Sequence, residues 1–236
     1  MTEKYYRNEE HKMYENVLEN IRQIRKDIGD KNVILLAVTK TVPVEIINAA
    51  ITEGGIRYIG ENRVQELLSK YDRLAMKEDL HIHLIGSLQT NKVKYIIDKV
   101  ELIQSVDSLR LIDEIQKQAA KIGKVQDILI EINIGREESK GGIFAEQLPD
   151  LLAHLANCPN VRWKGLMCIP PFTANDAELQ QYFLSMQKLL VDNVNKKLDN
   201  RDSYILSMGM SRDYNIAIAS GSDMIRVGSA IFGKRK

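Results

Sequence analysis

The sequence alternates short apolar runs with helical segments, and this alternation limits the possible folds more than any other feature. Eight runs have the length and apolar composition of buried strands. They cover Val33–Val38, Ile56–Ile59, Ile82–Ile85, Val100–Gln104, Ile128–Ile134, Trp163–Met167, Tyr204–Leu206 and Met224–Val227. Strands that alternate with helices form parallel sheets. Eight units without an interrupting linker favour a closed barrel over an open, doubly wound sheet.

Helical patterns lie between these strands, with apolar residues three and four positions apart. They cover Val44–Ile51, Val64–Leu74, Thr90–Ile97, Ser108–Ile122, Ala145–Asn157 and Ala177–Leu198. A further helix near residues 9–28 precedes the first strand. We therefore predict an α/β fold, a single (β/α)8 TIM barrel with an additional N-terminal helix outside it. Because no Pro/Ser-rich linker interrupts the pattern, residues 1–236 are expected to form one domain.

Charge and composition exclude several classes of function. The 33 Lys and Arg residues nearly balance the 32 Asp and Glu residues, so nothing predicts binding to nucleic acid or to an anionic membrane. The sequence contains no run of about 18 apolar residues that could span a bilayer and no secretion signal. The two cysteines, Cys158 and Cys168, show no metal-type spacing to histidines. We therefore expect a cytoplasmic protein without a metal site.

The first strand ends abruptly on a lysine, Lys40. Alternate residues of a strand face the same side, so Lys40 shares a side with Val38 and Leu36. Active groups of barrels collect at the C-terminal ends of the strands, which is where this lysine lies. Taken alone, Lys40 has a simpler interpretation as the charged, solvent-facing end of a strand.

Small residues follow the last two strands, where barrels bind phosphate through backbone N–H groups and helix N-termini. Ser207, Gly209 and Ser211 open one helix, and Gly228 and Ser229 open another. These residue types also suit simple helix caps. Because they occur in two adjacent turns, a phosphate site and two caps are equally good interpretations.

A buried lysine, an arginine and a phosphate site together suit pyridoxal 5′-phosphate (PLP). Lys40 would form a Schiff base with the aldehyde of this cofactor. Arg226, in the last strand, would face the pyridine nitrogen and disfavour its protonation, which weakens the ring as an electron sink. A salt bridge between Arg226 and a carboxylate is the alternative.

Motifs between Val33 and Gly233 resemble, in order, those of the pyridoxal phosphate homeostasis protein family, whose members are of the alanine racemase N-terminal-domain type. The motifs are Ala37–Thr41, Gly60–Asn62, His83–Lys92, Asn133–Gly135, Lys140–Gly141, Gly165–Met167, Leu206–Asp213 and Arg226–Gly233. The resemblance implies a barrel that binds PLP through Lys40.

The resemblance also implies roles for other residues. Asn62 and His83 would line the site, and Arg226 would lie near the pyridine ring. The implied phosphate-binding residues are Ser207, Met208, Gly209, Gly228 and Ser229.

Three other polar features keep open interpretations. His81 and His83 face one side of a strand but lack a third ligand for a metal ion. Glu61 is either a pocket carboxylate or, as we favour, an acidic residue at a helix start. The segment Arg136–Gly142 is either a loop over the site or an ordinary solvated loop.

Two functions fit these expectations. The first is a carrier that holds PLP without a dedicated reaction, in PLP and amino-acid homeostasis, with PLP-dependent apo-enzymes as candidate recipients. The second is an amino-acid racemase, which needs acid/base groups on both faces of its substrate. The resemblance implies that racemases take the second group from a further domain of a partner subunit, and the sequence ends three residues after Gly233. Unless Tyr58 or Cys168 substitutes for that group, we expect a monomeric carrier without an assigned catalytic residue.

Overall fold

The computed structural model describes residues 2–194 and 204–233, and their side chains from residue 14 onward. The strands in this part of the chain are β1 Ile34–Val38, β2 Tyr58–Glu61, β3 His81–Leu84, β4 Leu102–Val106, β5 Gln126–Ile132, β6 Val161–Cys168, β7 Ile205–Met210 and β8 Met224–Val227. All pairings are parallel and follow chain order, and β8 pairs with β1 to close the barrel. The predicted (β/α)8 TIM barrel is confirmed.

The helices among the described residues are α1 Thr2–Ile28, α2 Val44–Thr52, α3 Val64–Tyr71, α4 Leu109–Lys121, α5 Leu148–Leu155, α6 Asp176–Asn193, α7 Tyr214–Ala219 and α8 Ser229–Phe232. The helix predicted for Thr90–Ile97 is a 3-10 helix over Thr90–Tyr95, with three-residue bonds such as Lys92 N–H to the Gln89 carbonyl. The end of the helix predicted over Ala177–Leu198 lies outside the described residues. None of the described helices is both long and apolar enough to cross a membrane.

The N-terminal helix α1 lies outside the barrel, as predicted, and packs on α2, α7 and α8. Ile21 and Ile24 of α1 are buried in this contact layer. Polar bonds fix its position: Asn20 Nδ2 donates to the carbonyl of Ile231 in α8 at 2.9 Å, and the Tyr214 hydroxyl of α7 donates to Asp27 at 2.6 Å. The helix therefore covers the outer side of the segments that flank β8.

The apolar core has two layers. The larger one lies between the strands and the helices. The smaller one fills the inside of the barrel with alternate residues of the strands, as expected for strands whose faces are both buried. Its buried members are Leu36, Val38, Ile85 and Met224 in one cluster, and Leu102, Leu129 and Met167 in another. The interior row of β1 ends at Val38, so the next residue of that row is Lys40.

Candidate functional site

A cavity of about 430 Å³ opens at the C-terminal ends of the barrel strands. Its volume lies in the range typical of small-molecule sites. The charged residues of its wall are Lys40, Lys140, Arg212, Asp213 and Arg226. A second cavity of about 150 Å³ adjoins it and shares Lys40 and Gly228. This end of the barrel therefore offers a small-molecule pocket whose charged wall residues are mostly cationic.

Lys40 borders both cavities, and the chain around it is held from outside the barrel. Thr41 has a φ of +62°, and its N–H donates to the carboxylate of Glu66. The carbonyl of Thr39 accepts from Lys70 Nζ at 2.8 Å. A left-handed residue with a side chain costs conformational energy, and these bonds offset that cost. The place of Lys40 at the cavity is therefore fixed by the backbone on both sides of it.

A chain of buried hydrogen bonds runs from Arg226 at the cavity wall to His83 below it. Arg226 donates to Ser207 Oγ and to the carbonyl of Cys168, both at 2.8 Å. Ser207 Oγ lies 2.7 Å from Gln104 Oε1. Gln104 Nε2 in turn lies 2.9 Å from His83 Nδ1. These side chains hold the guanidinium in one orientation.

With the side-chain amide of Gln104 oriented as in this structure, one arrangement of protons satisfies this chain. A guanidinium can only donate, so Ser207 Oγ accepts from Arg226 and gives its own proton to Gln104 Oε1. Gln104 Nε2 then donates to Nδ1 of His83, and the histidine carries its proton on Nε2. Burial lowers the pKa of His83 to about 3, so the ring is neutral. The buried chain therefore carries one positive charge, that of Arg226.

A carboxyl group on β5, that of Glu131, acts on Arg226 at longer range. Burial raises the pKa of Glu131 to about 7, the charge of Arg226 opposes this rise, and Asp107 adds to it. A carboxyl group with this pKa is partly protonated at neutral pH. Arg226 donates its direct hydrogen bonds to Ser207 and to a backbone carbonyl. Within the described residues, the arginine is therefore held by these hydrogen bonds and not by the salt bridge that was the predicted alternative.

The turns after β7 and β8 meet at Ser211. Its Oγ accepts hydrogen bonds from the N–H groups of Gly228 and Ala230, at 3.2 and 3.1 Å. Two N–H groups that point at one oxygen atom are the arrangement by which backbone binds a phosphate oxygen. Asp213 fixes the neighbouring turn by accepting the N–H of Met210 at 2.6 Å.

The structure brings five of the nine predicted site residues to the wall of the larger cavity. They are Lys40, Asn62, Arg226, Gly228 and Ser229. Oδ1 of Asn62 is buried and has no hydrogen-bond partner within the described residues. A buried acceptor without a partner costs about 1–3 kcal/mol. The cavity therefore presents an oxygen atom that a donor group of a ligand would satisfy.

The other four predicted residues lie away from the cavity wall. His83 and Ser207 belong to the buried hydrogen-bonded chain. Met208 packs in the outer apolar layer. Gly209 has a φ of +94°, and a Cβ at this position would lie 2.5 Å from the Cβ of Ala217 in α7. These residues support the site from below and behind, and their predicted contacts with a phosphate remain predictions.

Two residues of the site have no part in the sequence prediction. Gln104 connects His83 to Ser207. The sequence indicates it only by its polar side chain, which lies two positions after Leu102 and therefore on the interior row of β4. Glu131 is a charge inside the apolar run of β5, which is a clear signal once the run is assigned to a buried strand.

The loop Arg136–Gly142 borders the cavity through one residue, Lys140. Lys140 Nζ donates to the carbonyl of Pro170 at 3.1 Å and pairs with Glu137 at 2.5 Å. Of the two interpretations offered for this loop, the structure supports a position beside the site.

The prediction for Glu61 is wrong. It is the last residue of β2 and only 1% exposed, whereas α3 begins at Val64. Its Oε1 accepts from Lys70 Nζ at 2.8 Å and from Thr39 Oγ at 2.7 Å. Burial raises the pKa of Glu61, and the bonds from Lys70 and Thr39 oppose the rise. The carboxylate thus anchors the backbone beside Lys40 instead of starting a helix.

Comparison with known proteins gives a consistent result. Residues 14–236 match the family described as alanine racemase, N-terminal domain. A pyridoxal phosphate homeostasis protein of Aquifex aeolicus is 45% identical over 223 residues, which cover 93% of this chain and 96% of that protein. A protein of the same name from Escherichia coli K12 is 35% identical over 232 residues, with 93% and 97% covered.

Solved structures extend the comparison. PipY of Synechococcus elongatus, solved with PLP bound, is similar at a TM-score of 0.80 and 31% identity, over 92% of this chain and 100% of that one. Alanine racemase of Corynebacterium glutamicum is similar at a TM-score of 0.70 and 14% identity, over 92% of this chain and 60% of that one. The likeness to the racemase is one of fold.

Proposed function

Since this chain belongs to the pyridoxal phosphate homeostasis protein family, within the alanine racemase N-terminal domain family, we propose that it binds PLP in the cavity beside Lys40. We further propose that it acts in intracellular vitamin B6 and amino-acid homeostasis, as a carrier without a dedicated reaction. The observation that carries this proposal is the meeting of three groups at one cavity. They are Lys40, the turn in which two backbone N–H groups converge on Ser211 Oγ, and the buried acceptor Asn62 Oδ1, which has no partner within the described residues.

These groups match the chemistry of the cofactor. PLP supplies an aldehyde that reacts with amines and a ring that can withdraw electrons. Lys40 would hold it covalently, and the N–H groups of Gly228 and Ala230 would donate to a phosphate oxygen in place of Ser211 Oγ. Asn62 Oδ1 would accept a hydrogen bond from a hydroxyl group. Arg226, oriented by its hydrogen bond to Ser207, would disfavour a proton on the ring nitrogen.

The positions of the candidate second bases favour a carrier over a racemase. Cys168 is fully buried, and burial raises the pKa of its thiol to about 12, so it holds its proton at neutral pH. Tyr58 is the first residue of β2, at the opposite end of the barrel from the cavity, and stacks on His81 at 4.2 Å between ring centroids. Neither residue borders the cavity wall. Racemisation remains the alternative function.

Three finer statements belong to the same proposal. The protein would act in the cytoplasm, as a monomer, with residues 1–236 as one domain. PLP-dependent apo-enzymes would be the recipients of its cofactor. Because the cavity opens at the end of the barrel, PLP could leave it without passing through the core.

Titration with PLP tests this proposal. Wild-type protein should develop the absorbance of a lysine-bound cofactor, and Lys40→Ala should not. Lys188→Ala is a matched control, since Lys188 pairs with Asp192 on the exposed face of α6. Asn62→Ala should weaken binding about tenfold, the effect of losing one hydrogen bond of about 1.4 kcal/mol.

Two results would overturn the proposal. One is an unchanged absorbance spectrum of wild-type protein in excess PLP. The other, which removes the carrier role alone, is racemisation of an amino acid at enzyme-like rates, above about 1 per second.

A further inference from the structure

A cluster of potential metal ligands lies on the helix layer, on the far side of the barrel from Lys40. Asp113 belongs to α4, His154 to α5, and Cys158 to the turn that follows α5. One ligand atom from each lies within 4.8 Å of the others. Helices α4 and α5 pack on β5 and β6, whereas the cavity wall contains none of the three residues. The cluster is therefore separate from the site described above.

The local structure explains why these three side chains meet. His154 and Cys158 are four residues apart, the spacing that puts two side chains on one helical face. The N–H of Cys158 bonds to the carbonyl of Leu155 at 2.9 Å, so the chain is still coiled where the thiol is presented. Asp113 reaches across from the neighbouring helix and lies 2.6 Å from His154 Nε2.

The donor set selects the class of ion. A thiolate, an imidazole and a carboxylate are ligands of Zn²⁺, whereas Mg²⁺ and Ca²⁺ take oxygen donors. Bonds of about 2.0–2.3 Å in tetrahedral geometry place donor atoms about 3.3–3.8 Å apart. The three ligand atoms already lie within 4.8 Å of one another, and the ion would draw them to that spacing. His154 and Asp113 are 32% and 62% exposed, so an ion can enter from solvent, while the buried Cys158 gives the site a closed inner side.

We propose that Asp113, His154 and Cys158 bind one Zn²⁺ ion and thereby join α4 to α5. Water completes the fourth position. On binding, the ion displaces the thiol proton of Cys158, and this proton passes to the buffer. His154 coordinates as the neutral imidazole. No oxidation or further reactant is involved. Because this site shares no residue with the PLP cavity, it stands or falls independently of the proposed function.

Metal binding to chelator-treated, full-length protein tests the site. With Co²⁺ as the probe, wild type should take up one equivalent and show a thiolate-to-cobalt charge-transfer band. Zn²⁺ should displace the Co²⁺ and raise the thermal unfolding temperature. Cys158→Ser should abolish the band, and His154→Gln and Asp113→Asn should each weaken binding by at least about tenfold.

A matched control is His81→Gln. His81 Nδ1 also contacts a carboxylate, that of Glu101, but neither belongs to a cluster with a thiol among the described residues. This variant should bind Co²⁺ like wild type. Since Asp113 is exposed and His154 is partly exposed, their variants should fold, which circular dichroism in chelator verifies. The proposal is overturned if wild type shows no charge-transfer band, if the band survives in Cys158→Ser, or if His154→Gln binds as tightly as wild type.

Discussion

Replacing His83 by glutamine should remove a defined part of the pH dependence of stability. The folded-state pKa of His83 is lowered to about 3, against about 6.5 in an unfolded chain. Between these values the unfolded chain binds a proton that the folded protein does not. The stability that the neutral ring contributes is therefore present above pH 6.5 and is lost as the pH falls. Between pH 7.5 and pH 5.0 the loss amounts to about 2 kcal/mol.

The assay is urea unfolding of cofactor-free wild type and His83→Gln at both pH values. Glu131 titrates in the same window with the opposite sign, because its raised pKa makes the folded state hold a proton that the unfolded chain releases. It is present in both proteins, so its effect cancels when the two pH dependences are subtracted. The wild type should lose about 2 kcal/mol more than the variant on acidification. Equal losses in the two proteins would show that the buried ring is not held neutral, and the proton arrangement from Arg226 to His83 would be refuted.

Two further predictions concern stability, measured by chemical denaturation. Gly209→Ala should destabilise the protein by at least about 3 kcal/mol, because the new Cβ would strain a left-handed backbone and overlap with Ala217. The control is Gly123→Ala, where φ is +66° and the added Cβ meets open space, and it should cost only about 1 kcal/mol. Equal effects of the two variants would contradict the packing argument. Lys70→Met should destabilise the protein by about 3–5 kcal/mol, because it leaves the buried carboxylate of Glu61 without its cationic partner. The control Lys188→Met breaks an exposed ion pair and should cost less than about 1 kcal/mol. A small effect at Lys70 would contradict the anchoring role of Glu61.

The barrel was predictable because its strands are buried on both faces and therefore stand out as apolar runs. The last strand was predicted with the observed bounds, Met224–Val227, and the alternation within β1 places Lys40 on the interior row. The positions of Asn62 and Gly228 at the cavity follow from the same rule, since parallel strands end on one side of the barrel.

The supporting contacts were not predictable, because they depend on the register between strands and on distant side chains. Ser207 was assigned to phosphate because it follows the predicted strand Tyr204–Leu206, yet it lies within β7, and its hydroxyl bonds to Gln104, 103 positions away in the sequence. Glu61 was assigned to a helix start from its neighbours alone, although its partners are Lys70 and Thr39. Short-range patterns carry no information on such pairings.

The most direct test of the account is to reduce the PLP-treated protein with borohydride and to map the modified peptide by mass spectrometry. The account predicts that one lysine gains a phosphopyridoxyl group and that this lysine is Lys40. Lys140, which also borders the cavity, should stay unmodified at one equivalent of PLP. A phosphopyridoxyl group found first on Lys140 or on a lysine outside the cavity, or none at all, would contradict the central claim.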